Sequence, residues 1–198
     1  MKIIVHRRNT LAELQATDSR YGVEVDIRSD GEDLIIQHDP FFPGELFAEW
    51  LRNYKHGTLI LKVKEDGLEE RLLKITAGHG VDDFFFLDQS FPAVVRWSKE
   101  GERRCAIRIS EYESIETAMA LAGKIEWVWV DFFTHLALSN KEAIQLRSGG
   151  FKLCLVSPEL QGHNATSAIP ALASILRERG ILADAVCTKR PDIWESIL

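Results

Sequence analysis

Residues 22–28 read Gly22-Val23-Glu24-Val25-Asp26-Ile27-Arg28, and this stretch decides the fold. The β-branched Val23, Val25 and Ile27 alternate with Glu24 and Asp26, so an extended chain sets an oily face against an acidic one. An apolar back is what a strand needs when helices cover it. Two neighbouring carboxylates on the front suit a site that binds a cation or moves protons.

Runs of the same kind recur along the chain: Lys2-His6, Thr58-Lys64, Phe84-Asp88, Cys105-Ser110, Trp127-Asp131, Lys152-Val156 and Ala183-Cys187. Helical patterns lie between them, clearest at Pro43-Tyr54, Leu68-Ala77, Ser114-Ala122, Lys141-Ser148 and Ser167-Gly180. Ser114-Ile115-Glu116 and Thr166-Ser167 resemble helix starts, and Gly123, Gly149 and Gly180 resemble helix ends. Leu34-His38 reads as a short extra strand. Alternating strands and helices predict an α/β fold, a (β/α)8 TIM barrel near the short end of the usual range of roughly 200 residues. A doubly wound open sheet is the alternative. Parity supports the barrel. Leu59, Leu61 and Val63 oppose Lys62 and Lys64, Ile107 and Ile109 oppose Arg108 and Ser110, and Val128 and Val130 oppose Trp129 and Asp131. The inward sets turn polar toward their C-terminal ends. In a barrel, His6, Glu24, Asp26, Lys62, Asp88, Arg108 and Asp131 then converge on the mouth.

With 198 residues and 45% hydrophobic content, the chain suits one domain, residues 1–198, with a single large core. The net charge of −6 argues against a nucleic-acid surface, which requires clustered lysine and arginine. Cys105, Cys154 and Cys187 each fall in a strand-like run, which predicts buried, reduced thiols and a cytoplasmic location. The first strand begins by Lys2, leaving no room before it for a secretory leader, and no apolar run is long enough to span a membrane.

The set His6-Arg7, Asn9-Thr10-Leu11, Glu24-Val25-Asp26, Asp30-Gly31 and Ile36-Gln37-His38-Asp39-Pro40 resembles the glycerophosphodiester phosphodiesterases and their phosphatidylinositol phospholipase C-like relatives. The segment Ala183-Asp184 through Thr188 to Pro191-Asp192 resembles that family's closing strand, so the likeness brackets the chain. It implies a (β/α)8 barrel that hydrolyses a small phosphodiester. His6 and His38 would be the acid/base pair, Glu24 and Asp26 the ligands of a divalent cation (Mg or Ca), and Arg7, Lys62 and Arg108 the substrate-binding cations. The chemistry is coherent: diester cleavage needs a base for the attacking hydroxyl, an acid for the leaving oxygen and positive charge on the equatorial oxygens. Imidazole titrates near neutrality, and hard cations prefer carboxylate oxygens.

Four departures from the family pattern are informative. Leu61-Lys62-Val63-Lys64 stands where the family has a further metal carboxylate, so Lys62 is placed to take the role of the cation, as protein cations do in some phosphatidylinositol-cleaving relatives. Arg8 replaces a usual glycine. The span from His38 to Lys62 is too short for the family's common insertion, and Lys189 replaces a common acidic residue. Arg7, Arg8, Lys62, Lys64, Arg108 and Lys189 would then make a basic pocket on an acidic protein, suited to a phosphate-bearing ligand. The loop from Ser157 to Asn164, with Gly162, fits a substrate-contacting turn. Two other functions are compatible with the residues. One is Schiff-base chemistry at a Lys62 of lowered pKa; the other is a barrel that binds a phosphorylated metabolite or lipid headgroup without turnover.

Overall fold

β1 (Lys2–Val5) lies between β10 (Ala185–Thr188) and β2 (Gly22–Asp30), parallel to both, so the first and last strands of the chain pair and roll the sheet onto itself. In the computed structural model, which describes residues 1–198, β2 continues to β5 (Leu59–Val63) and β5 to β6 (Phe84–Leu87). On the other flank β10 is followed by β9 (Lys152–Val156), β8 (Trp127–Val130) and β7 (Ala106–Ile109), again all parallel. Between β7 and β6 the ring is held by the single bridge Phe86–Cys105, with the Phe86 amide donating to the Arg104 carbonyl at 2.7 Å. The architecture is the (β/α)8 barrel expected from strand parity. The β6–β7 seam is its most thinly bonded junction.

Side-chain alternation divides the interior into two cores. Outward residues such as Val23, Val25, Leu59, Leu61, Val128 and Val130 pack under the helices, while Ile4, Ile60, Phe85, Trp127, Cys154 and Cys187 fill the barrel. Phe85 and Trp127 stack inside it with ring centroids 4.5 Å apart, large flat groups filling a narrow lumen. All three cysteines are buried and unbridged. Above this plug the inward positions become His6, Glu24, Asp26, Lys62 and Arg108, so the barrel is oily at its base and ionic at its mouth.

β2 outruns the barrel. Its last four residues pair antiparallel with β3 (Asp33–Ile36), which pairs in turn with the two-residue β4 (Glu45–Leu46). This hairpin carries the chain back to the mouth, where the Gln37 amide donates to the Asp26 carbonyl. The segment expected to be helical from Pro43 starts on β4, and its helix is confined to Phe47–Leu51. Three helices lie outside the segments read as helical: Leu11–Gln15, Phe91–Lys99 and Pro191–Ile197. Each begins on a local cue, a Thr10–Glu13 capping box, a Ser90 cap before Pro92, and Pro191 in the first turn. The helix Ala165–Glu178 starts two residues before the Ser167 expected, because Asn164 supplies the capping oxygen to the Ser167 amide. No helix is long and apolar enough to cross a membrane.

One glycine is required by contact rather than by torsion. A Cβ at Gly22 would lie 2.3 Å from the Thr58 carbonyl oxygen, because β2 and β5 meet there at the barrel floor. Gly22→Ala is expected to lower the unfolding free energy by about 2–3 kcal/mol, the usual cost of overpacking against backbone, measured by denaturant titration.

Candidate active site

The site grows from the turn after β1. Arg7 has φ 49, a left-handed conformation uncommon for residues other than glycine, and its amide donates to Glu24 Oε2 at 2.9 Å. The next amide, Arg8, donates to the Glu24 carbonyl at 2.8 Å. Asn9 then clamps Asp26 from both ends: its Nδ2 donates to Asp26 Oδ2 at 2.9 Å and its Oδ1 accepts from the Asp26 amide at 3.1 Å. The β1 turn is thus fastened to the acidic face of β2. This is the physical reason the His6-to-Asn9 motif and Glu24–Asp26 work as one unit.

Glu24 and Asp26 are fully buried, and cations surround them. His6 Nε2 is 3.3 Å from Glu24 Oε2, Lys62 Nζ is 3.9 Å from Glu24 Oε1, Lys64 Nζ is 3.4 Å from Asp26 Oδ1, and Arg7 Nε is 3.5 Å from Asp26 Oδ2. Burial, with further help from Arg7, Lys62, Lys189 and Arg8, holds the His6 imidazole down to about 2, so it is neutral across the physiological range. Burial pushes Glu24 upward, to about 7, and Asp26 adds to the rise; Lys62, the Arg7 amide and the Arg7 charge restrain it. Burial pulls Lys62 down, but Glu24, Asp88 and Asp26 outweigh it and leave its ammonium above the ordinary lysine value. This is the direction that Glu24 and Asp26 beside Lys62 imply, and it weighs against the Schiff-base alternative, because a charged amine is no nucleophile.

A second ionic cluster closes the seam. Asp88, at φ 60 just past β6, accepts from Lys62 Nζ at 3.2 Å and from Arg108 Nη2, while Arg108 Nη1 donates to Asp131 Oδ2 past β8. Arg108, expected as a substrate cation, is therefore shared between two carboxylates and ties β6, β7 and β8 together across the weakest strand junction. Lys62 and Arg108 hold Asp88 below its usual range despite its burial. Gln161 Nε2 donates to the remaining Asp131 oxygen at 2.7 Å. Gly162 at φ 86 ends the short 3₁₀ turn Pro158–Gln161 that delivers this amide to the mouth. Glu159 of the same turn accepts from Thr188 Oγ1 and the Lys189 amide, locking it to β10.

Between these clusters opens a cavity of about 260 Å³ lined by His6, Arg7, Lys62, Arg108, Trp129, Asp131, Val156, Leu160, Gln161 and Lys189. All three expected substrate cations, Arg7, Lys62 and Arg108, line it together with His6. His38 does not: its Nδ1 is 2.7 Å from Asp39 Oδ1, and its carbonyl accepts from Arg28 Nε at 3.2 Å and Nη2 at 2.9 Å. It stands at the rim, held through Arg28 on the same face of β2 as Glu24 and Asp26. Asn9, Arg28 and Gln161 are positioning residues that the sequence reading left without roles. Arg28 was recoverable from parity, two positions beyond Asp26; Asn9 and Gln161 were not, since their partners come from distant strands.

The donor set can be tested against a divalent cation. Glu24 Oε1 and Asp26 Oδ1 each lack a hydrogen-bond donor, as metal-facing oxygens would, but each already has a lysine ammonium within 4 Å. No third carboxylate, histidine or cysteine joins them in a metal-holding group. Two carboxylates with two lysines and an arginine at their oxygens do not fit Mg or Ca, which require six or more oxygen ligands. The expected ligand role of Glu24 and Asp26 is therefore not supported, and the reason is Lys62 and Lys64.

A barrel with an ionic mouth is a widely shared scaffold, and the solved structures similar to this one narrow it. One, assigned as a glycerophosphoryl diester phosphodiesterase from Agrobacterium tumefaciens str. C58, matches at TM-score 0.70 and 14% identity over 99% of this chain and 96% of its own. Another, a glycerophosphodiester phosphodiesterase from the same organism, matches at TM-score 0.69 and 12% identity over 98% of this chain and 99% of its own. Neither a protein-family model nor a curated protein sequence matches the chain. The fold is thus that of glycerophosphodiester phosphodiesterases over nearly its whole length.

Two opposed proton linkages follow from the His6–Glu24 contact. His6 stays neutral in the fold, so its contribution to stability is full above its free value of 6.5 and is lost as pH falls below it. Glu24 acts the other way: its contribution is full below 4.5 and is lost as pH rises through about 7. His6→Gln removes only the first. Denaturant unfolding of that variant is expected to show stability falling from about pH 4.5 to about pH 6.5, where the parent protein is flatter.

Proposed function

We propose that this chain is a phosphoric diester hydrolase of the glycerophosphodiester phosphodiesterase type, acting on a small phosphodiester with Lys62 in the place of a metal ion. The observation that carries the reading is the cavity itself: a neutral imidazole, His6, beside the heads of Arg7, Lys62, Arg108 and Lys189 at a barrel mouth. A phosphodiester anion brings one negative charge, and these cations supply the field for its equatorial oxygens. The shared fold with two glycerophosphodiester phosphodiesterases supports the same reaction class.

In this reading His6 begins as the base. It takes a proton from the attacking water as the new P–O bond forms, and ionised Glu24, 3.3 Å away, stabilises the imidazolium. The bond to the leaving alcohol breaks, and that oxygen takes a proton from His38, whose Nδ1 is fixed by Asp39 and whose Nε2 is left for the substrate. Lys62 holds its ammonium against Glu24 and Asp88, where it meets the phosphoryl oxygens without a divalent ion. A second reading, binding of a phosphorylated metabolite or lipid headgroup without turnover, is favoured by one observation: His38 is paired to Asp39 and stands outside the cavity lining. Calorimetric binding of glycerol phosphate with no hydrolysis of any glycerophosphodiester would select that reading.

Replacing either histidine, His6→Asn or His38→Asn, is expected to lower kcat on a glycerophosphodiester panel by about 10²–10⁴-fold, and undiminished turnover in both would refute the assignment. Chelator is expected to change the rate of the parent protein by less than about twofold. Lys62→Glu, which completes a set of three carboxylates with Glu24 and Asp26, is expected to bind Mn²⁺ by calorimetry where the parent does not.

A further inference from the structure

The cavity at the mouth has two unlike halves. His6, Arg7, Lys62 and Lys189 line it from the turn after β1, from β5 and from the chain just past β10, whereas Trp129, Val156 and Leu160 form an uncharged wall from β8, β9 and the turn that follows. A phosphodiester seated here sets its charged phosphoryl group against the first half, so the second half faces one of its two alcohol arms. That wall is not simply oily. Trp129 is only 4% exposed, yet its indole N–H has no acceptor within the protein. Trp194 donates its indole hydrogen to Ser157 Oγ at 2.8 Å, and the Trp50 nitrogen is sealed without a partner; the Trp129 nitrogen is in neither state, because the ring edge opens on the cavity.

Gln161 offers the matching acceptor. A carboxylate accepts and does not donate, so the 2.7 Å contact with Asp131 Oδ1 fixes the side-chain amide with Nε2 toward Asp131 and Oε1 on the other side. That oxygen receives no donor from the protein and, like the Trp129 nitrogen, is not sealed from solvent. Asp131 follows Trp129 by two positions on the lumen-facing side, a rise of roughly 7 Å along the strand, so the amide that it holds stands one tier above the indole. A short polyol with hydroxyls on successive carbons bridges such a step, one hydroxyl accepting from the indole and another donating to the amide oxygen. Other groups meet only half of the demand. A phosphoryl oxygen has no hydrogen for Gln161, and a quaternary ammonium has no lone pair for Trp129 and would face the cations of the other half.

We infer that Trp129 and Gln161 are specificity-determining residues that hold a hydroxyl-bearing arm of the diester, with Val156 and Leu160 against its carbon chain. That the arm belongs to a diester rests on the reaction class proposed above; the recognition of its hydroxyls does not. The test is calorimetric binding of glycerol 3-phosphate against n-propyl phosphate, two monoesters of equal charge and like length that differ by two hydroxyls. Equal charge cancels the cationic half of the cavity, so the ratio of affinities reads the subsite. The parent protein is expected to favour glycerol 3-phosphate by more than about tenfold, because the analogue leaves a desolvated donor and acceptor unpaired. Trp129→Phe keeps an aromatic ring without the N–H, and Gln161→Met keeps the chain length without the acceptor; each is expected to cut that ratio by at least about threefold. A purely structural role lowers both affinities together and leaves the ratio where it was. Denaturant unfolding checks that the variants are folded, and if Trp129→Phe is not, Gln161→Met carries the test from its place in the turn after β9. A ratio near one in the parent, a ratio unmoved in a folded variant, or failure of the parent to bind either monoester overturns the inference. A preference for glycerol 3-phosphate without hydrolysis of any diester leaves the subsite standing and overturns the phosphodiesterase reading alone.

Discussion

Glu24 and Asp26 have no exposed surface, and a buried carboxylate survives only if charge and hydrogen bonds replace the water it has lost. Everything at the barrel mouth follows from meeting that requirement. The β1 turn adopts a left-handed residue at Arg7 so that its amide reaches Glu24, Asn9 spends both ends of its amide on Asp26, and Lys62 and Lys64 extend from β5 to the free oxygens. Removing one cation would leave a buried charge unpaired, a far larger penalty than the loss of a surface ion pair.

That arrangement also explains the site's character. A divalent cation and a pair of lysines are alternative ways to neutralise two buried carboxylates. In this structure the two lysines stand within ion-pair reach of the carboxylate oxygens, so positive charge at Glu24 and Asp26 is supplied by the chain itself. His6 feels the same field. Buried and surrounded by cations, it is held neutral.

The seam between β6 and β7 is the other place where the mouth serves the fold. One bridge joins these strands, and Arg108 spans them through Asp88 and Asp131. A residue read as a substrate cation is therefore a strut as well. Its charge reaches the cavity already balanced by two carboxylates, as that of Lys62 is by Glu24 and Asp88.

Strand periodicity was legible in the residues themselves, because alternation between oily and ionic faces is imposed by geometry on every barrel strand. Val23-Glu24-Val25-Asp26-Ile27 and Leu61-Lys62-Val63-Lys64 therefore announced both the barrel and the charges at its mouth. The helices Leu11–Gln15, Phe91–Lys99 and Pro191–Ile197 lie outside the segments read as helical, although a cap or a first-turn proline marks the start of each. Contacts between distant strands were not legible. That Asn9 would grip Asp26, that Gln161 would reach Asp131, and that His38 would turn to Asp39 at the rim depend on how loops close in space, which no spacing along the chain encodes. The sequence by itself determined which residue types face the lumen; only the tertiary structure decided that Lys62 and Lys64 lie within ion-pair reach of Glu24 and Asp26, because that distance is set by the register of β5 against β2.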